Sequence, residues 1–488
     1  MQMKKNSIEK QNEEVKGMAN VQEKKMTGKK SGMKDLTVGK PFRCIMEFWL
    51  PVFLGTLFQQ FYNMVDTMIV GKYLGLNQLA GVGVTGSLSF LVIGFCIGIC
   101  SGFAIPVAQA FGAKDEKGLR RYVTNSVWYC IVLSVILTIA TVILCRKMLV
   151  WMNTPEEAFE YAYWYIVIIF AGIPFTVLYN MVSGVFRALG DSKSPVVFLI
   201  ISSVLNIGLD FLFIPGVGMG VEGAAIATII AQAVSGIVSL IYMIRKFTIL
   251  KTEKEDWKPS AAYLKTLTIV GIPMGLQYSI TAIGSIVLQT AVNSFGEIAV
   301  AGVAAANKVY ALISCPLEAM GNTMATYAGQ NMGANRLDRI SKGLYQATLA
   351  CIILSVVTFG LVVLFGNQMS MLFIDKDELE ALAFAYKYTL ISTAGFPLLT
   401  FVLTVRFTIQ GMGFSAFAMT AGVLEMAARC FAALILPEHF GFTSVCLANA
   451  CAWIAADLFL IPAFFYCKRK LERKNLFPID SAYGKRVY

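Results

Sequence analysis

Charge is scarce in this chain. Only 15% of its 488 residues are Asp, Glu, Lys or Arg, and its single histidine, His439, follows Pro437 in a short predicted loop. The 11 cysteines include no Cys-x-x-Cys pair and lie almost wholly inside apolar runs, so neither a metal site nor a disulfide framework is expected. There is no phosphate-binding glycine loop, no paired histidine and no His-Glu-x-x-His, which excludes an intramembrane enzyme and leaves no cofactor to expect. The first forty residues are polar and lysine-rich without an apolar core, so they do not read as a cleaved secretory signal, and the first apolar run serves for insertion.

What is abundant is apolar length. The chain is 57% hydrophobic with a mean hydropathy of +0.65. Twelve runs are long enough to span a bilayer: roughly 45–70, 82–107, 124–145, 161–183, 195–214, 223–245, 266–292, 303–328, 346–367, 385–408, 416–436 and 446–467. The net charge of +11 is concentrated in the two tails and in alternate loops, which argues against nucleic acid as a partner. One set of loops holds sixteen basic residues, among them Arg120, Arg187, Arg339 and Arg406, and the opposite set holds five. The positive-inside rule then places both termini in the cytoplasm of a multi-pass cell-membrane protein.

The chain is duplicated. At an offset of 221, Gly75 meets Gly296, Leu-Ala-Gly-Val (79–82) meets Val-Ala-Gly-Val (300–303), and QAFGA (109–113) meets QNMGA (330–334). With slips of one or two residues Pro51 meets Pro273, Pro174 meets Pro397, Gly190 meets Gly413 and Pro215 meets Pro437. Six spans per unit is an even number, so both halves cross in the same sense around a cleft suited to alternating access. The predicted fold is an all-α integral membrane protein with twelve transmembrane helices in two parallel six-helix repeats. Its parts are a basic cytoplasmic tail (1–43), an amino-terminal lobe (44–245), a cytoplasmic linker (246–265), a carboxy-terminal lobe (266–467) and a second basic tail (468–488). The linker's polar composition reads as a tether. Gly94, Gly98 and Gly102 form a flat stripe for close helix approach, and Pro174 and Pro397 read as paired kinks inside spans four and ten.

Acids inside spans are the candidate functional groups, because each costs about 2.5–3.5 kcal/mol to insert. Span one carries Tyr62 and Asp66, span five carries Asn206 and Asp210 one turn apart, and span six carries Thr228. Topology puts all five at a similar depth in the outer half. Their oxygens suit a hard monovalent cation, or the two acids can share a proton, since neighbouring carboxyls cannot both ionise cheaply. The matching positions of the second half are Val287 and Ala433, so the cation chemistry is expected in the amino-terminal lobe alone. Pro51, about 22 Å along span one from Asp66 at about 1.5 Å per residue, is the expected hinge. The second half has Lys308 and Glu318, read as cleft residues, Glu425 and Arg429, read as a structural i,i+4 ion pair, and Asp457, to which no role is assigned. Lys308 and Arg429 are the only intramembrane cations expected.

The repeated P…VDTMIVGKYLG, the QAFGA and QNMGA turns and FRALGDSKSP (186–195) together resemble the multidrug and toxic compound extrusion (MATE) transporters over about 44–467. Aspartate in span one, Asn-x-x-x-Asp in span five and threonine in span six resemble the DinF-like or MepA-like branch. That resemblance implies an amino-lobe H+ or Na+ site at Asp66, Asn206, Asp210 and Thr228 with Tyr62 beside it. The NorM branch relies on acids in spans seven and ten, which are absent here. The resemblance also implies export of organic cations and amphipathic drugs by H+ or Na+ antiport, by a protein functional as a monomer. The alternative is a flippase for lipid-linked precursors from the same superfamily, whose basic cavity this sequence does not display.

Overall fold

Long apolar runs become helices longer than the runs themselves. The computed structural model describes residues 32–152 and 154–476. Span one is Pro41–Leu74, span two Leu76–Gly112 and span three Glu116–Trp151. Span four is a broken pair, Glu156–Ala171 and Ile173–Ala188, bent by 50°. Span five, Lys193–Phe211, runs on into a π turn at Leu212–Gly216, and span six is Val221–Lys246. The second half repeats this order with Ala261–Asn293, Glu297–Gly333, Leu337–Ser370, the pair Leu379–Ala394 and Phe396–Gly411 bent by 51°, Ser415–Leu434 and Phe442–Leu476. Helices of 33 to 37 residues are about 50 Å long and exceed a hydrocarbon core of about 30 Å, so their polar ends project beyond it. Both tails are therefore shorter than their composition indicates, since span one starts at Pro41 and span twelve continues to Leu476. Positions 1–31 and 477–488 of those tails lie outside the described residues.

The duplication is visible in the backbone. Gly75 and Gly296 end the first span of each half with φ of 91° and 89°. Lys114 and Asn335, also 221 apart, both have φ 57° and are the only non-glycine residues with positive φ among those described. Pro174 and Pro397 do not kink helix interiors. Each lies in the first turn of a new helix, where its missing N–H costs nothing, and the chain breaks at the preceding Gly172 or Gly395. Glycine is required at the breaks by proximity, because a Cβ would stand 2.5 Å from Ile229 or 2.9 Å from Trp453.

Spans one and seven do not stay within their own lobes. The start of span one (Cys44, Ile45, Phe48, Trp49) lies in one core with Leu317, Met320, Val405 and Leu460 of the second half, and Trp49 Nε1 donates to Pro316 O at 2.9 Å. Its far end (Ile69, Val70) packs with Ile214 and Ala224 of the first half. Span seven does the converse. Val270 and Met274 pack on Ile105 of span two, whereas Leu288 and Val292 join the second-half core. The glycine stripe of span two makes this approach possible, since Cβ atoms at Gly98 and Gly102 would stand 2.6 Å from Met274 O and Gly271 Cα.

The linker is not a loose tether. It folds into two short turns, Thr248–Leu250 and Lys254–Trp257, docked on span three. Arg120 Nε donates to Asp256 Oδ2 at 2.9 Å, Trp128 Nε1 to Trp257 O at 3.0 Å, and Ser260 N to Asn125 Oδ1 at 2.9 Å. The last residues before span one are anchored too. Leu36 is fully buried, its N–H donates to Gln330 Oε1 at 2.8 Å, and Arg339 donates to Leu36 O and Gly39 O at 3.0 and 2.7 Å. Arg339, assigned above to the loop charge, is thus buried in a dock.

Candidate functional site

Tyr62, Asp66, Asn206, Asp210 and Thr228 lie together near the ends of spans one, five and six. The periodicity of span five puts Asn206 and Asp210 on one buried face, 1% and 0% exposed. With its amide turned so that nitrogen meets acceptors, Asn206 donates to Tyr62 Oη at 2.9 Å and to Asp210 Oδ2 at 3.1 Å. In that orientation its oxygen accepts from Thr228 N at 3.1 Å. Thr228 Oγ1 donates to Ala224 O at 3.0 Å, which aims its lone pairs at the cluster. The Asp66 and Asp210 carboxyls are within hydrogen-bonding reach of each other. Each nevertheless leaves one buried oxygen, Oδ1, without a partner among the described residues. Directly after Asp210 the helix widens into the π turn ending at Pro215–Gly216, an irregularity common at functional positions.

Tyr165 of span four lies within electrostatic reach of both acids and completes the wall. Sequence reasoning missed it, because it sits in an aromatic stretch, FEYAYWY, with nothing to single it out. The matching place in the other half is apolar. Leu288, Ala432 and Ala433 belong to a buried apolar core there.

The second half pairs its charges differently from the expectation. Glu425 accepts from Arg429 at 3.2 Å and from Arg406 at 2.5 Å. Arg406 is therefore not a loop charge but a buried residue of the helix Phe396–Gly411. Asp457, 7% exposed, is within reach of both Arg406 and Glu425, with neither carboxyl oxygen hydrogen-bonded among the described residues. Lys308 is exposed on span eight, and half-buried Glu318 accepts from Ser314 at 3.0 Å. Pro51 lies in the unbroken helix of span one, within the stretch packed against the second-half core, since Val52 and Phe53 beyond it also pack there.

Arg187 is the third correction to the loop count, after Arg339 and Arg406. It occupies the last turn of Ile173–Ala188 and lines a narrow recess between the halves, with Ser101, Met274, Asn322, Thr326 and Phe407. A cation gains only about 0.3–1 kcal/mol from a helix carboxy-terminus, whereas taking an ion out of water costs several kcal/mol. Below the recess the basic face is sealed by both repeat turns. Gln109 Nε2 donates to Gly411 O and Gln330 Nε2 to Ala188 O, each at 2.9 Å. The direct hydrogen bonds between the halves, among the described residues, all lie between mid-membrane and this basic face.

Comparison with known proteins locates this architecture. The family model MatE matches residues 51–212 and 273–434, one match per repeat. The probable multidrug resistance protein YpnP of Bacillus subtilis (strain 168) is 31% identical over 389 residues, 79% of this chain and 85% of that protein. The multidrug export protein MepA of Staphylococcus haemolyticus is 22% identical over 85% of this chain and 92% of its own. Among solved structures, that of MATE in complex with MaL6 superposes with a TM-score of 0.83 at 22% identity. It covers 91% of this chain and 99% of that one.

Proposed function

Because the chain belongs to the MatE family of membrane transporters and is not an enzyme, we propose that it exports organic cations and amphipathic drugs by antiport against H+ or Na+. On this reading it resides in the cell membrane as a monomer with the basic face in the cytoplasm. The observation that carries the coupling half is the adjacent pair Asp66 and Asp210, each with an unsatisfied buried oxygen inside a ring of neutral donors and hydroxyls. Two carboxyls at membrane depth need one shared proton or a bound cation, and either loads from the face toward which the cluster lies.

Span one supplies the link to transport. Its base, through Phe53, is packed against the second-half core and its tip in the first, with Pro51 near the upper end of the base. Loading a proton or cation replaces the repulsion between the Asp66 and Asp210 carboxylates by a shared bond, which shifts the tip of span one, and the helix can bend where proline has removed a backbone hydrogen bond. Loading and release of the cation thereby alter the cleft between the halves.

The test is gradient-driven uptake of a fluorescent cationic dye by proteoliposomes under an imposed pH or sodium gradient. Asp66→Asn and Asp210→Asn should fold, bind dye and fail to accumulate it. Asn206→Ala and Thr228→Ala should weaken coupling less, since each removes a neutral group. Wild-type accumulation and wild-type pH dependence in both aspartate variants would refute the mechanism. Movement of a lipid-linked sugar, with no dye movement under either gradient, would replace it by the flippase reading.

A further inference from the structure

The guanidinium of Arg187 makes no ion pair and no hydrogen bond among the described residues. The ionisable groups near it are Tyr179, Tyr278 and Cys100, none of them a carboxylate. Around the same recess stand the hydroxyls of Ser101 and Thr326 and the amide of Asn322, and Met274 and Phe407 supply apolar wall. The acid closest along span eight, Glu318, lies one turn from Asn322 and already accepts from Ser314. An unpaired cation facing a narrow recess, with neutral donors beside it and apolar walls around it, fits one chemistry: the anionic end group of a larger molecule.

We propose that this recess is a binding subsite for the anionic group of an amphipathic substrate, a carboxylate, sulfonate or phosphate held by Arg187 with Ser101 and Asn322. The inference rests on the transporter reading and narrows it, because it adds acidic and zwitterionic amphipaths to a substrate range otherwise described by cations. The recess lies directly above the seal made by Gln330 on Ala188, the residue next to Arg187. When that seal opens, Arg187 becomes reachable by a molecule arriving from the basic face.

Binding can be measured on the detergent-purified full chain with a dansylated undecanoic acid and its methyl ester, which differ only in the charge. The wild-type protein should prefer the acid by about tenfold or more at pH 7, as expected for a charge-assisted bond to arginine. Arg187→Gln should bring the two to equal affinity, and Arg187→Lys should keep part of the preference. Equal binding of acid and ester by the wild type overturns the proposal, and this arm does not depend on any variant folding. A folded Arg187→Gln protein that retains the preference overturns it as well. So does displacement of the acid by phosphatidylglycerol at lower concentration than by the free acid, which would assign the recess to a lipid headgroup. No gradient is used, so failure here leaves antiport at Asp66 and Asp210 intact. Failure of gradient-driven accumulation likewise leaves this binding result standing.

Discussion

Glu425 holds two arginines at once, and that changes what its removal should do. Arg406 and Arg429 both donate to it, and all three side chains are at least nine-tenths buried. Breaking a buried pair from one side costs about 3–5 kcal/mol, chiefly through the charge left behind. Glu425→Gln strands two cations and should lower thermal stability more than Arg429→Gln, which leaves Glu425 paired with Arg406. The double change Glu425→Gln with Arg429→Gln should recover only part, because Arg406 then has only Asp457 within reach. Melting of the purified variants, followed by size-exclusion fluorescence, measures the order. Equal loss in the two single variants would contradict the three-membered cluster. The spacing of Glu425 and Arg429 was readable because one turn of one helix joins them. Arg406 was not, since it lies 19 residues earlier on another helix, near the end of its apolar run. The five groups clustered around Asp66 and Asp210 were legible for the opposite reason. Each is a polar residue in an apolar run, and even-numbered topology brings their depths together, whereas Tyr165 and the unpaired state of Arg187 exist only in three dimensions.

Elements were easier to locate than their ends and contacts. Apolar windows identify twelve crossings because burying backbone in lipid demands helices. They do not show where helices break or what a polar segment touches. The linker is the clearest case. Polar composition cannot distinguish a free tether from a docked turn, since the partners Arg120, Asn125 and Trp128 sit more than a hundred residues away on span three. Burial works against the charged form of Asp256, yet the Glu253 backbone N–H and the Arg120 guanidinium hold its carboxyl below the usual range. A lowered folded pKa contributes stability above the unfolded value of about 3.9 and loses it as pH falls through the folded one. Amide protection of residues 253–257 should therefore be constant from pH 7 to 5 and decline only below about pH 4. Asp256→Asn should weaken protection throughout that range by about 1.5–3 kcal/mol, the worth of hydrogen bonds to a charged group. Hydrogen exchange read by mass spectrometry decides this. Protection in the wild type that disappears between pH 7 and 5 would mean that Asp256 does not hold the turn.

At the scale of the whole molecule, the duplication is put to use where the halves meet. Each repeat turn contributes a glutamine that donates to a backbone carbonyl of the other half. Each also contributes a glycine against which the opposite glutamine's backbone lies. A Cβ at Gly112 would stand 1.9 Å from Gln330 O, and one at Gly333 would stand 1.8 Å from Gln109 O. The clamp is reciprocal, and because backbone rather than a flexible side chain occupies the space, neither glycine tolerates a substituent while the basic face is closed. Gly112→Val and Gly333→Val should each hold that face open. Spin labels at Lys114 and Asn335, the paired turns of the two repeats, should report a longer and broader distance in either variant than in the parent. Gly86→Val is the control, since open space surrounds Gly86, and it should leave the distance unchanged. The two clamp variants should also lose gradient-driven dye accumulation while keeping dye binding, because alternating access needs both faces to close in turn. An unaltered distance in both glycine variants would show that the basic face is held shut by the span-one base and its Leu36 anchor rather than by the repeated turns.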